Sequence, residues 1–386
     1  MRTLRIGAVV AALFAAMEAP AEPFVPASDA QVVERLGRAT AQHRQLKSLR
    51  LAAAQAPSDL GHAASLASAY VGVARVEGDP RYLGYAQGAL APWWNDPAAP
   101  TAVLMLRATI LQSRHQFDAA VADLDTISDR EPDNAQARLT RATILTVQGR
   151  YAPARNDCNR TVGTAADIYG VICMAAIDSV TGKAGRAYQT LQRAVLAAPR
   201  SHSAARVWAE TLLGEIAHRR GDPAAETHFR AALHAGEKDL YLLAAYADWL
   251  IERGRAAEAI ALLQNETRVD ALLLRLALAQ QALGLPQASA SIDMLRARFD
   301  ASRARGDTVH QRESARFALS LRGNAADALR DAVANWQVQR EPADLLVLAQ
   351  AAAAKNADAL ATVKHWLAET GFEYPAVAAL ADGGGT

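Results

Sequence analysis

The chain has 386 residues, 51% of them hydrophobic, with 41 Lys+Arg against 40 Asp+Glu. So much apolar surface excludes a disordered chain, and near-neutral charge with both signs interspersed excludes the basic footprint of a nucleic-acid binder. An alanine-rich sequence with 6% aromatic residues, 23 Gly and 15 Pro favours helix throughout.

The N-terminus opens with MRTLR, then the apolar run IGAVVAALFAAM, then Ala19-Pro20-Ala21. A basic start, a short apolar stretch and an A-x-A site read as a bacterial-type signal peptide over 1–21. The run is well short of the ~20 apolar residues that span a bilayer. Cleavage near Ala21 implies a periplasmic or secreted protein, and loss of Arg2, Arg5 and Glu18 leaves a formally neutral mature chain. No Cys follows the cleavage site, so a lipid anchor is not expected. Beyond it the mature chain shows no membrane-spanning run.

Residues 22–57 read as a linker (EPFVPAS) and an N-terminal helix, capped by Ser28 or Asp29 and running to about Gln55. Pro57 and Ser58-Asp59 then start a divergent helical hairpin over 58–100, turning near Gly78. From 101 the chain repeats itself. Arg107-Ala108-Thr109-Ile110-Leu111 recurs 34 residues later as Arg141-Ala142-Thr143-Ile144-Leu145, and HQFDAAVADL at 115–124 matches GRYAPARNDC at 149–158 in kind. Weaker copies turn at Gly182, Gly221 and Gly254, and more degenerate ones at Gly284 and Gly323.

This period resembles the tetratricopeptide repeat family, whose unit is a pair of antiparallel helices. The family's marks fall on Ala108, His115, Phe117, Ala120 and Pro132 in one unit, and on Ala142, Gly149, Tyr151 and Ala154 in the next. The resemblance implies an all-α fold, a right-handed α-solenoid of antiparallel hairpins. Tetratricopeptide-like repeats cover 101–264, strongest over 101–201, and degenerate repeats with a cap cover 265–367. Residues 368–386 read as a C-terminal tail. Glycine suits the turns because it takes the left-handed conformation that ends a helix.

Cys158 and Cys173 sit on successive helices, equidistant from a turn near 165–166. Residues placed so face each other in an antiparallel hairpin, which favours a disulfide if the compartment is oxidising; two separate buried thiols are the alternative.

No G-x-S-x-G, H-E-x-x-H or phosphate-binding glycine loop is present. His218, His228 and His234 are spaced by ten and six, which does not set metal ligands on one helical face. No cofactor, metal or enzymatic activity is expected. What the resemblance implies is binding, through a concave groove lined by first helices. In 101–168 that groove offers Met105, Thr109, Gln112, Leu139 and Thr143, which lack the Lys and Asn of the family's clamp for chaperone C-termini. The later units offer Trp208, Glu215, His218, Arg219, Tyr241, Asp248 and Glu252, aromatic anchors beside charges as binding hot spots use. The expected function is an exported scaffold holding a peptide or protein partner, in envelope assembly or export. The alternative is a structural subunit of a larger envelope complex.

Overall fold

A computed structural model describes Ser28 and residues 41–163, 167–199, 202–236, 238–353 and 356–383. Residues 1–21, expected to be a signal peptide, and the stretch 29–40 in which the first helix is expected to begin lie outside the described residues. Two compact units divide the chain, 1–45 and 46–386. Of the first, only Ser28 and the opening turn of the first helix are described.

Among the described residues the protein is all-helical. Its elements begin with α1 (Ala41–Gln55), α2 (Leu60–Glu77), α3 (Arg81–Ala89) and the single turn α4 (Ala91–Trp94). There follow α5 (Thr101–Ser113), α6 (Phe117–Arg130), α7 (Ala135–Val147), α8 (Tyr151–Asn159), α9 (Asp167–Ser179) and α10 (Ala184–Ala197). Next come α11 (Ser203–Arg219), α12 (Ala225–Ala235), α13 (Leu240–Glu252), α14 (Ala256–Leu263), α15 (Asp270–Ala282) and α16 (Gln287–Ala304). The chain closes with α17 (Gln311–Ser320), α18 (Ala325–Val338), α19 (Pro342–Ala353), α20 (Ala357–Thr370) and α21 (Pro375–Ala381). From α5 onward successive helices pack in pairs, α5 on α6, α7 on α8, and so on to α17 on α18.

Local chemistry explains the pairing. In α6, Phe117, Ala120, Leu124 and Ile127 fall at helical spacing and are buried, giving one apolar stripe. Gly214 lets α11 and α12 approach closely, since a Cβ there would sit 2.7 Å from Phe229 Cε1. Asp59, the last residue of the Ser-Asp pair read as a helix start, accepts a hydrogen bond from the His62 amide at 2.8 Å and caps α2.

The 34-residue period has a physical counterpart. Arg107 donates to Asp123 through Nε at 2.8 Å and Nη2 at 2.6 Å. Arg141 repeats the same fork to Asp157, at 2.8 and 2.6 Å. Each fork ties the first helix of a pair to the second, with both carboxylates buried and bidentate geometry setting the register. Between these units and the next, Cys158 on α8 and Cys173 on α9 are joined in a disulfide, their Cα atoms 5.6 Å apart.

The turns carry a second regularity. Gly149, Gly182, Gly221, Gly254, Gly284 and Gly323 all have φ between 63 and 74°. His115 holds the equivalent place in the first unit with φ 56°, the only non-glycine with positive φ among the described residues. Its ring stacks on Phe117 at 5.3 Å, and Nδ1 lies 2.9 Å from Gln339 Nε2.

That contact begins a seam, because the chain between α18 and α21 runs along the first three of these turns in order. After His115 meets Gln339, the Arg340 amide donates to the Val147 carbonyl at 2.7 Å. Trp366 covers Gly149, where a Cβ would lie 2.5 Å from the indole, and packs on Tyr151 and Trp336. Gly371, itself at φ 65°, brings its carbonyl against Gly182 so closely that a Cβ on Gly182 would be 3.2 Å from it. Phe372 then lies beside Arg219 at the end of α11. Residues from 368 are therefore not a tail: α20 runs to Thr370, and α21 follows with Val377 and Ala381 buried. Pro375 at the first position of α21 and Gly371 as the cap of α20 are the local reasons.

Two predictions test the seam. Gly149→Ala and Gly254→Ala both force a side chain into positive φ, at about 1–2 kcal/mol, but only Gly149 lies under Trp366 while Gly254 has open space. Urea unfolding should show Gly149→Ala as the more destabilised; equal losses would mean Trp366 does not press on this turn. His115 is held at a pKa of about 4 by burial, with Arg312 adding to the depression. Its neutral form therefore contributes stability that is complete above pH ~6.5 and is lost as pH falls towards 4, amounting to roughly 3 kcal/mol. Replacing it with Gly should flatten the stability difference between pH 7 and pH 4.5 relative to the unaltered chain.

Candidate binding groove

The residues that the sequence marks as a groove lie on α11 and α13. Trp208, Glu215 and Arg219 are spaced by seven and four, and so are Tyr241, Asp248 and Glu252, so each set lines one stripe of its helix. α13 is started by Asp239, whose side chain accepts from the Leu242 amide at 2.9 Å. Between the two helices Tyr241 donates its hydroxyl to Glu215 Oε1 at 2.7 Å, and His218 Nε2 lies 2.7 Å from Glu252 Oε2. Four of the seven residues thus form two cross-helix pairs.

The other three have different partners. Trp208 stacks obliquely on Tyr169 with centroids 6.3 Å apart and packs on the apolar cluster of α9, α10 and α11. Arg219 donates to Ser179 Oγ at 3.2 Å and places its guanidinium 5.8 Å from the Phe372 ring. Asp248 accepts from Arg275 Nε and Nη2 at 3.0 and 2.7 Å, and from Arg316 Nη1 at 2.7 Å.

Arg275, on α15, is itself buried. It also donates to the Ala244 and Ala271 carbonyls. Further along the seam Arg312 on α17 meets Glu313, Glu341 and Asp344, and Asn335 donates to Asp344 at 2.8 Å. Burial alone would raise Asp248, but Arg275 and Arg316 hold it below the usual carboxylate range. Glu313 is likewise drawn down to about 2, burial being outweighed by Arg312 and Arg275. Asp344 goes the other way: burial pushes it to about 6 against the pull of Arg312. Glu215 is raised by burial, with Arg219 and the Tyr241 hydroxyl opposing.

Tyr241 exposes 53% of its surface, yet the protein around it and the Glu215 carboxylate push its hydroxyl well up. Tyr374, just before α21, shares these surroundings: burial raises it, with Glu252, Arg219, Asp248 and Glu215 all near enough to act on it.

Arg275, Arg312, Arg316, Glu313, Asp344, Phe372 and Tyr374 are missed by sequence reasoning. The arginines look like ordinary helix-surface residues, since apart from Glu313, next to Arg312, the partners named lie 27–68 residues away. Phe372 and Tyr374 carried a readable signal, glycine before and proline after, which marks a turn into another helix. Among the described residues no three His, Cys, Asp or Glu side chains could hold a metal ion, and no helix is long and apolar enough to cross a membrane. His228, in the set weighed for a metal, lies 2.7 Å from Glu210 and 2.7 Å from the Tyr188 hydroxyl.

Asp248 is the residue on which this network turns. Asp248→Ala leaves Arg275 buried without its carboxylate and should cost about 3–5 kcal/mol. Glu252→Gln, at an exposed pair, should cost under ~1 kcal/mol. Chemical unfolding of both variants checks this; similar small losses would show that water reaches Arg275 freely.

No protein-family model matches this chain, and a search of curated proteins finds no match.

Proposed function

We propose that this protein is an exported tetratricopeptide-like scaffold that captures a peptide or protein partner across α11 and α13. The observation that carries the reading is Tyr241, a large ring with 53% of its surface exposed, hydrogen-bonded through its hydroxyl to Glu215 on the neighbouring helix. An aromatic face held in place by its own polar end loses little freedom on binding, and such residues dominate interface energetics. Around it, His218, Glu252 and Glu215 offer polar contacts at partial exposure, the usual surroundings of an anchor. Export rests on the composition of residues 1–21 and leads to a periplasmic or secreted location. On this reading the repeats form a right-handed solenoid and the chain binds without catalysing.

A photo-crosslinking residue at Glu252, an exposed position on the same helix as Tyr241, introduced into the chain in its native cell, tests this. The expected product is a defined adduct with one partner, lost by Tyr241→Ala with a ~10-fold drop in yield, about 1.4 kcal/mol, and unchanged helix content. Trp208→Ala should weaken capture too, with some loss of stability because Trp208 also packs on Tyr169. Absence of any adduct would refute the groove. Loss of solubility without one co-purifying complex would instead favour the structural-subunit reading.

A further inference from the structure

Beside the first contact of the seam lies a cleft of about 270 Å³, between the α5–α6 turn, the end of α7 and the last turn of α18. His115 lines it, and so do Gln116, Asp118, Gln148 and Gln337. Gln148 Nε2 donates to Asp118 Oδ1 at 3.0 Å, which joins two of these side chains into a pair. Asp118 Oδ2 then accepts from no described residue, and Gln148 Oε1 receives only Arg150 Nη1, at 3.5 Å. Gln116 and Gln337 are exposed, and their amide groups have no partner among the described residues. His115 is neutral, since burial holds its pKa at about 4. The Gln339 amide nitrogen can only donate, so His115 Nδ1 accepts and the ring proton sits on Nε2. That N–H is a further donor without a partner among the described residues. Ala119 and Val338 add apolar surface to the same cleft.

We infer that this cleft binds the ring of a neutral sugar, a site separate from the α11/α13 groove and not dependent on it. A sugar hydroxyl both donates and accepts, and a glutamine amide answers it with a donor and an acceptor on one planar group. Two neighbouring hydroxyls suit the joined Asp118 and Gln148, whose remaining oxygens both accept. The His115 Nε2–H and the glutamine NH2 groups supply the donors. The C–H face of a sugar ring is apolar and fits against Ala119 and Val338. Charge argues against other small ligands. An anion would meet the Asp118 carboxylate in a cleft that no Lys or Arg lines. A cation would meet donors on His115 and on the glutamines. An extended peptide needs its partners in a row, whereas these side chains line one compact space. The volume lies just below the range of most ligand pockets, which leaves room for one sugar unit rather than an oligosaccharide. A free monosaccharide and the terminal unit of a glycan both present such a ring.

Saturation-transfer NMR of the full chain tests this. The probes are the methyl glycosides of glucose, galactose, mannose and N-acetylglucosamine, and the disaccharides maltose, lactose, mannobiose and chitobiose. At least one probe should take up saturation, and Gln116→Ala/Gln337→Ala should weaken its binding at least 10-fold. Both glutamines are exposed, so the double variant should melt with the unaltered chain. The same probe should shift the ring nitrogen signals of His115 in the unaltered chain, a readout that needs no variant. A glycoside bound as tightly as its disaccharide identifies a free sugar as the ligand. Tighter binding of the disaccharide through its terminal ring identifies a glycan end. No saturation of any probe overturns the proposal, as does undiminished binding by the double variant or an unmoved His115 ring. Preferential binding of N-acetylalanine N-methylamide also overturns it and marks the cleft as a peptide site.

Discussion

The hairpin turns are where this structure is held together over long range, and the constraint they impose is steric. At Gly149 and Gly182 the backbone turns in the left-handed region with no side chain, and into that space come an indole and a peptide carbonyl. Three repeat turns, at His115, Gly149 and Gly182, are covered by the stretch from Gln339 to Gly371, while the turns at Gly221, Gly254, Gly284 and Gly323 are open. Glycine serves two purposes there. It permits the conformation that ends each first helix, and it lets another segment approach to van der Waals contact. His115 departs from the series, and it is the one turn residue whose side chain reaches across to bond the covering segment.

Charged residues of distant elements also come together beside α13 and set the electrostatics there. Arg275, Arg312 and Arg316 meet Asp248, Glu313, Glu341 and Asp344 from helices distant in sequence. Such networks are weak sources of net stability, because desolvation offsets much of the attraction, but breaking one partner away is costly. Their consequence here is order: Asp248 is held by two guanidiniums on α15 and α17, so α13 presents Tyr241 and Glu252 from a fixed position. The same enclosure raises Glu215 and the two tyrosine hydroxyls.

The parts legible in the sequence are those written in short-range pattern. The pentapeptide repeated at 107 and 141 announced a hairpin unit, and the recurring Arg–Asp fork is its physical form. The cysteines at 158 and 173, on successive helices, are joined as their equal distance from the expected hairpin turn suggested. Turn glycines marked helix ends along most of the chain. The tail assignment failed at 368 because α21 is only seven residues long, too short to show a period. Gly371 and Pro375 were its sole markers.

By itself, then, the sequence determined helix, hairpin period and turn positions, all of which follow from contacts within about one repeat. It also placed Glu215, Tyr241, His218 and Glu252 at spacings that let neighbouring helices pair them. Only the tertiary structure decided that Trp208 packs on Tyr169, that Asp248 serves Arg275 and Arg316, and that Phe372 lies beside Arg219. The physical reason is range: these contacts join elements far apart along the chain. They depend on how helices far apart in the chain pack together, which no local pattern of residues expresses.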